Sequence, residues 1–319
     1  MLARGAARGR GGVAALAASS LALTLLVACQ QAPPPPSQRA ASNGGTVVVA
    51  SFNFPESELL AAIYGLAIRH AGIPVRLQLD LGPRELVQPA LEQGLADLVP
   101  EYLGTALTSI HPDAKVNWAD PAAVRNVLAV AFAGWRVQVL TPAAAQDQNG
   151  VAVTRATAAR FHLRTVSDLR GVAGRLTIGG TPECPKRPYC LLGLRSVYGL
   201  KFAAFEPFDT QGQRVTALLD GVIDVAMLTT TDGNLAAGNL VVLADDRHLQ
   251  PAENVVPVVT ERAAARYGKR LTGALDQVSS RLTTNALLFL NWRVQVAGDD
   301  PVTEARAWLE RQGILPRPR

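Results

Sequence analysis

Histidine, cysteine and aromatic residues are all scarce in this sequence. Four histidines, three cysteines and an aromatic content of 5% are spread over 319 residues. His70, His111, His162 and His248 lie apart, beside charged or helical segments, and read as surface or capping residues rather than general bases. No HExxH, GxSxG, Walker A or GxGxxG pattern occurs beyond residue 28. Gly179-Gly180 follows a strand-like run but lacks the later glycine and the Lys/Ser of a phosphate loop. With no CxxC, zinc-ligand spacing is absent too. These absences argue against an enzyme, and no metal or cofactor is expected.

Charge is also sparse, at 18% of residues. The formal net charge is +5, and Arg4, Arg8 and Arg10 supply three of it, which leaves +2 on the remainder. No Lys/Arg block interleaves with aromatics as a single-strand groove needs, so nucleic acid is not an expected partner.

What is present is an export signal. The basic start leads into an apolar run over 13–28, broken by Ser19, Ser20 and Thr24, and ends at Leu26-Val27-Ala28-Cys29. The run is short for a membrane span and suits a secretory signal over 1–28. Leu-Val-Ala-Cys resembles the bacterial lipobox, which implies lipidation of Cys29. Small residues fit the peptidase and the thiol carries the lipid. Residues 29–45, with Pro33-Pro34-Pro35-Pro36 followed by Ser, Gln, Ala, Asn and Gly, cannot pack a core and suit a semi-rigid tether. The expected location is outside the cytoplasm, anchored to a membrane by lipid.

Beyond the tether, hydrophobic content of 48% supports a sizeable core. Strand-like runs at 46–50, 75–79 and 96–99 alternate with helical patterns at 57–71 and 86–93. Pro89 demands a place in the first turn of the latter helix. Further strands are predicted at 137–140, 150–153, 176–179, 223–227, 240–243 and 255–259. Helical stretches fall at 166–169, capped by Ser167 or Asp168, and at 216–219, and a mostly helical tail covers 261–312. This alternation predicts an α/β fold with mainly parallel pairing. Two lobes fit the length: lobe I from 46–140 and 230–319, lobe II from 141–229. Two chain crossings then form a hinge, and interfaces of this kind commonly hold ligands. Cys184 and Cys190 bracket Pro185-Lys186-Arg187-Pro188-Tyr189. In an oxidising compartment they pair as a disulfide, or else stay as two separately buried thiols.

The stretch Leu86 to Gly94, followed by Ala96-Asp97-Leu98-Val99-Pro100-Glu101-Tyr102-Leu103-Gly104-Thr105-Ala106-Leu107, resembles the substrate-binding proteins of glycine betaine/choline/carnitine (osmoprotectant) ABC importers. Ser51-Phe52-Asn53-Phe54 with Glu56, Val197-Tyr198-Gly199-Leu200-Lys201-Phe202, Thr230-Thr231-Asp232-Gly233, Leu243-Ala244-Asp245-Asp246, Leu282-Thr283-Thr284 and Phe289-Leu290-Asn291 follow the family's order. The resemblance implies the two-lobed periplasmic-binding-protein fold (type II). It also implies a small-molecule solute in the cleft and, as partners, an ABC permease with its ATPase. A monomer is expected.

Family members hold a quaternary ammonium among tyrosines and grip a carboxylate with polar groups; cation–π attraction supplies about 0.5–2 kcal/mol per ring. The resemblance carries the first cage tyrosine to Tyr102, a carboxylate-binding hydroxyl to Thr105, a second-lobe arginine to Arg187 and a loop contact to Asn53. Phe52 stands where a lysine is usual. Asn149, Thr229 and Glu253 stand at cage-tyrosine positions, which leaves Tyr102 alone of the cage. A polar, partly acidic cleft suits an amino acid or polar amine. A sensor or adaptor lipoprotein on the same fold is a competing reading.

Overall fold

A computed structural model of the protein describes residues 45–317. The expected signal (1–28), Cys29 and all but the last residue of the tether (29–45) lie outside them.

The first strand, β1 (Val47–Ala50), is buried along its whole length. Helix α1 (Pro55–His70) follows, with proline at its start, Glu56 and Glu58 in its first turn, and Arg69 and His70 in its last. Both charge placements complement the helix dipole. Next come β2 (Val75–Gln78), α2 (Arg84–Glu92), β3 (Leu98–Tyr102), α3 (Leu103–Ile110), α4 (Pro121–Ala133) and β4 (Val137–Val139). The second lobe contains β5 (Asn149–Thr154), α5 (Arg155–Phe161), β6 (Thr177–Gly180), α6 (Leu191–Tyr198), β7 (Ala204–Pro207), α7 (Gln211–Leu219), β8 (Val225–Thr229) and β9 (Leu240–Leu243). Strand β10 (Val255–Thr260) returns to the first lobe. Helices α8 (Glu261–Tyr267), α9 (Lys269–Ser279), α10 (Thr284–Asn291) and α11 (Pro301–Arg311) complete the chain.

Each lobe is a five-stranded sheet, ordered β2-β1-β3-β10-β4 and β7-β6-β8-β5-β9. Apolar clusters fill both faces of each sheet. The α/β class is as expected, but the pairing is mixed rather than mainly parallel. Strands β1, β2 and β3 run parallel, as do β6, β7 and β8. The antiparallel strands are β10 and β5. Each is the strand that directly follows a crossing, and each inserts into its sheet against the local direction.

The return crossing falls near residue 250, not 230. Strand β9, expected in lobe I, pairs with β5 from Val151↔Leu243 to Thr154↔Leu240 and so belongs to the second sheet. Two local expectations also shift. Pro89 sits in the second turn of α2; Glu85, whose carbonyl loses a donor there, is exposed, so water can serve it. Residues Val166–Gly171 form a 3₁₀ helix that starts from Thr165, and the Asp168 carboxylate accepts from the Arg164 and Thr165 N–H groups at 2.9 and 2.8 Å.

The two crossings lie side by side. Gln146 and Asn254 form an antiparallel bridge. The Asp147 N–H donates to the Glu253 carbonyl at 3.1 Å, and Gln148 Nε2 donates to the Pro251 carbonyl at 2.7 Å. This paired ribbon is the hinge.

Candidate functional site

The second crossing caps helix α3. Tyr102, at the N-cap, offers no side-chain bond. Instead the Leu103 N–H donates to the Asn254 carbonyl (3.2 Å), the Gly104 N–H to the Ala252 carbonyl (2.9 Å), and the Thr105 N–H to the Glu253 carboxylate (3.0 Å). Three successive helix donors therefore meet residues 252–254, which satisfies groups a helix start leaves open. Gly104 permits the approach: a Cβ there would lie 2.9 Å from Pro251 Cβ and 3.0 Å from the Ala252 carbonyl oxygen.

Above the hinge a cavity of about 670 Å³ opens between the lobes. Thr105 and Glu253 line it from the first lobe and the hinge; Asn149, Arg187 and Thr229 line it from the second. A smaller cavity of about 280 Å³ is lined by Phe52, Asn53 and Tyr102. Arg84, Thr105 and Asp147 border both, so the two are parts of one cleft. The structure thus places all eight sequence-indicated residues along it, with different degrees of exposure. Phe52 is largely core, 4% exposed and stacked on Phe54 with centroids 5.9 Å apart. Asn53 and Arg187 are exposed. Asn149 pairs with Thr229 across β5 and β8 and reaches Gln250. The Thr229 N–H donates to Gln211 Oε1 at 3.1 Å. Cys184 and Cys190 are bonded as a disulfide, with Cα atoms 5.2 Å apart, and both border the larger cavity.

Several cleft residues carry no clear signal in the sequence. Arg84 clamps the buried Glu101 with two bonds of 2.6 and 2.8 Å, and its guanidinium lies 4.8 Å over the Phe52 ring. Phe54 stands 6.2 Å from the Tyr102 ring. Tyr189 and Arg214 line the second-lobe wall. The position of Tyr189 inside the cysteine-bracketed loop is a hint to its place. Asp147 lies in a polar stretch of the first crossing that has no distinguishing pattern.

Buried acids dominate the electrostatics. Glu56 accepts from the Tyr102 hydroxyl at 2.6 Å and from Asn291 Nδ2. Burial raises its pKa above the usual carboxylate value, against the lowering effect of those bonds. Burial, followed by the Glu56 charge, also lifts the Tyr102 phenol and, separately, holds Asp147 well above its ordinary value. Asp147 accepts from Thr231 Oγ1 at 2.6 Å. Glu253, 7% exposed, is pushed up to about 7 by burial, with Thr105's two hydrogen bonds and Arg84 opposing.

Among the described residues no group of three or more His, Cys, Asp or Glu could hold a metal ion, and no helix is long and apolar enough to cross a membrane. Two α/β lobes, a two-strand hinge and a cleft lined from both sides define a solute-binding class of protein. Residues 45–311 match the family described as the substrate-binding domain of ABC-type glycine betaine transport systems. A glycine-betaine-binding protein of Pseudomonas aeruginosa is 29% identical over 273 residues, spanning 82% of this chain and 86% of the relative. The glycine betaine-binding protein YehZ of Escherichia coli is 25% identical, spanning 81% and 88%. A crystal structure of a glycine betaine/carnitine/choline ABC transporter protein superposes with a TM-score of 0.78 at 26% identity, covering 84% of this chain and 99% of that one. The chain belongs to this family. It is a substrate-binding protein of the glycine betaine/carnitine type of ABC transporter, and not an enzyme.

Proposed function

We propose that the protein works outside the cytoplasm as a lipid-anchored, monomeric solute receptor. It holds a small solute in the cleft between its lobes and delivers it to an ABC permease driven by its ATPase. The observation that carries this reading is the cavity of about 670 Å³ over the hinge, bordered by Thr105 and Glu253 on one side and Asn149, Arg187 and Thr229 on the other. A site built from both lobes gains its full set of contacts only when they close, so solute binding and closure are linked. The closed form is then what a permease can distinguish from the empty one.

The anchor rests on Leu26-Val27-Ala28-Cys29 and the proline-rich segment behind it. Cys29→Ser is expected to move the protein from the membrane to the soluble fraction. For the cleft, calorimetric titration with glycine betaine, choline, carnitine and their less methylated relatives is the test. Saturable binding of at least one is expected. A folded protein that binds none of them overturns the reading.

A second reading concerns the solute. Asn149, Thr229 and Glu253 replace rings with polar groups, which favours a polar amine or amino acid over a quaternary amine.

A further inference from the structure

Two carboxylates form the floor of the cleft. Asp147 lies on the first crossing and Glu253 on the second, and the hinge pairing holds them beside each other. Both border the larger cavity. Among the described residues neither enters an ion pair. The nearby Arg84 is taken up by Glu101. Asp147 accepts from Thr231, and Glu253 accepts one bond at each oxygen from Thr105. A carboxylate has about four acceptor sites, so both keep lone pairs for a donor in the cavity.

The opposite wall carries a cation. Arg214, on α7, is 7% exposed and borders the same cavity. Its Nε donates to the Met227 carbonyl at 2.8 Å and its Nη1 to the Phe208 carbonyl at 3.2 Å. Among the described residues it has no carboxylate within ion-pair distance. A buried guanidinium without a counter-ion is costly, and two carbonyl bonds hold this one in position rather than neutralise it. Burial pulls its pKa down, and the charge of Asp232, which is not within ion-pair distance, opposes this only in part.

The cleft is therefore polarised, negative at the hinge and positive on the second-lobe wall. The rings are gathered in the smaller cavity, where Phe52, Phe54 and Tyr102 lie; among the described residues Tyr189 is the one aromatic bordering the larger, where Glu253 and Arg214 lie. A quaternary ammonium has no N–H and is held best by ring faces. It would leave the lone pairs of both carboxylates unmet, whereas an ammonium with N–H groups would fill them with charge-assisted bonds.

We infer that the solute is a zwitterion whose cationic group carries at least one N–H, seated on Asp147 and Glu253, with its anionic group on Arg214. This rests on the interlobe cleft being the solute site. The test is calorimetry on the detergent-solubilised full chain at pH 8, using glycine, sarcosine, N,N-dimethylglycine and glycine betaine, then L-proline, N-methylproline and proline betaine. Within a series, affinity falls at least tenfold at the step that removes the last N–H. Glu253→Gln shrinks that step to less than threefold. A fully methylated form that binds as tightly as its N–H relatives overturns the inference and leaves the receptor reading intact. If no member of either series binds, and neither choline nor carnitine does, both fail. Arg214→Gln is expected to weaken every carboxylate-bearing ligand at least tenfold; unchanged affinity in that variant overturns the Arg214 assignment. Because Arg214 is buried, its replacement can prevent folding; the methylation series on the unaltered protein then decides the inference without it.

Discussion

Each carboxylate oxygen of Glu253 takes a different donor of Thr105, 148 residues away: Oε2 accepts from its N–H at 3.0 Å and Oε1 from its hydroxyl at 2.9 Å. One contact thereby joins the second crossing to the start of α3 and closes one corner of the cleft. Thr105→Val keeps the shape and the N–H but deletes the hydroxyl bond to a buried acid. A loss of about 1–2 kcal/mol is expected in denaturant unfolding. A change within 0.3 kcal/mol, on the order of the noise between independent sites, would show the bond to be worth nothing.

The same acid sets a pH dependence. Glu253 titrates near 7 in the folded protein against about 4.5 for the ordinary group. Between those values the folded state holds a proton that the unfolded chain has released, so stability falls as pH rises through the window. That gap corresponds to on the order of 3 kcal/mol. Glu101 and Arg84 face the group from the first lobe, with opposite effects, and Tyr189 faces it from the second. Glu56 and Asp147 are raised too, so their contributions carry the same sign. Unfolding free energy is expected to drop from pH 5 to pH 8. In Glu253→Gln the drop should be smaller, and the variant more stable than the parent at pH 8. Stability that climbs over this range in the parent protein would refute the assignment.

Much of this architecture was legible because it is written in local pattern. Val47–Ala50 and Val255–Thr260 are β-branched runs that only a buried strand explains. The pairing direction was not legible, because β5 and β10 look like any other strand until the crossings fix which way they enter. Nor was the return point: Leu240–Leu243 would suit either sheet by composition, and only its register with Val151–Thr154 decides. At the cleft, aligned motifs pointed to Tyr102, Thr105 and Glu253. Asp147 and Arg214 escaped because their meaning lies in what they face. An acid in a polar loop and an arginine on a short helix are ordinary until the fold sets them across one cavity.

Arg84 and Glu101 form a two-bond ion pair on the first-lobe wall, at 2.6 and 2.8 Å to an acid that is 3% exposed. Arg84→Met strands that carboxylate and should cost about 3–5 kcal/mol. Arg84 also lowers the Glu253 pKa, so its loss should shift the midpoint of the pH–stability curve upward. Adding Glu101→Gln removes the stranded charge and should recover most of the stability. A double variant as unstable as the single one would assign the loss to packing on Phe52 instead.

The disulfide separates local from global effects. Cys184 and Cys190 are six residues apart in sequence, and the loop they close carries Arg187 and Tyr189 to the cavity. The Tyr189 carbonyl accepts from Gln250 Nε2 at 3.1 Å, which ties the loop to the hinge region. Gly193 allows this packing, since a Cβ there would fall 2.1 Å from the Pro188 carbonyl oxygen. A loop this short restricts the unfolded chain only modestly, by about 2 kcal/mol. The paired Cys184→Ser, Cys190→Ser variant should therefore stay folded at 25 °C. Hydrogen exchange should rise over 181–191 and leave the first-lobe sheet unchanged. Solute affinity should fall about tenfold, because two wall residues lose their fixed positions while Thr105, Asp147 and Glu253 keep theirs. Unchanged affinity with a fully exchanging loop would remove Arg187 and Tyr189 from the binding wall.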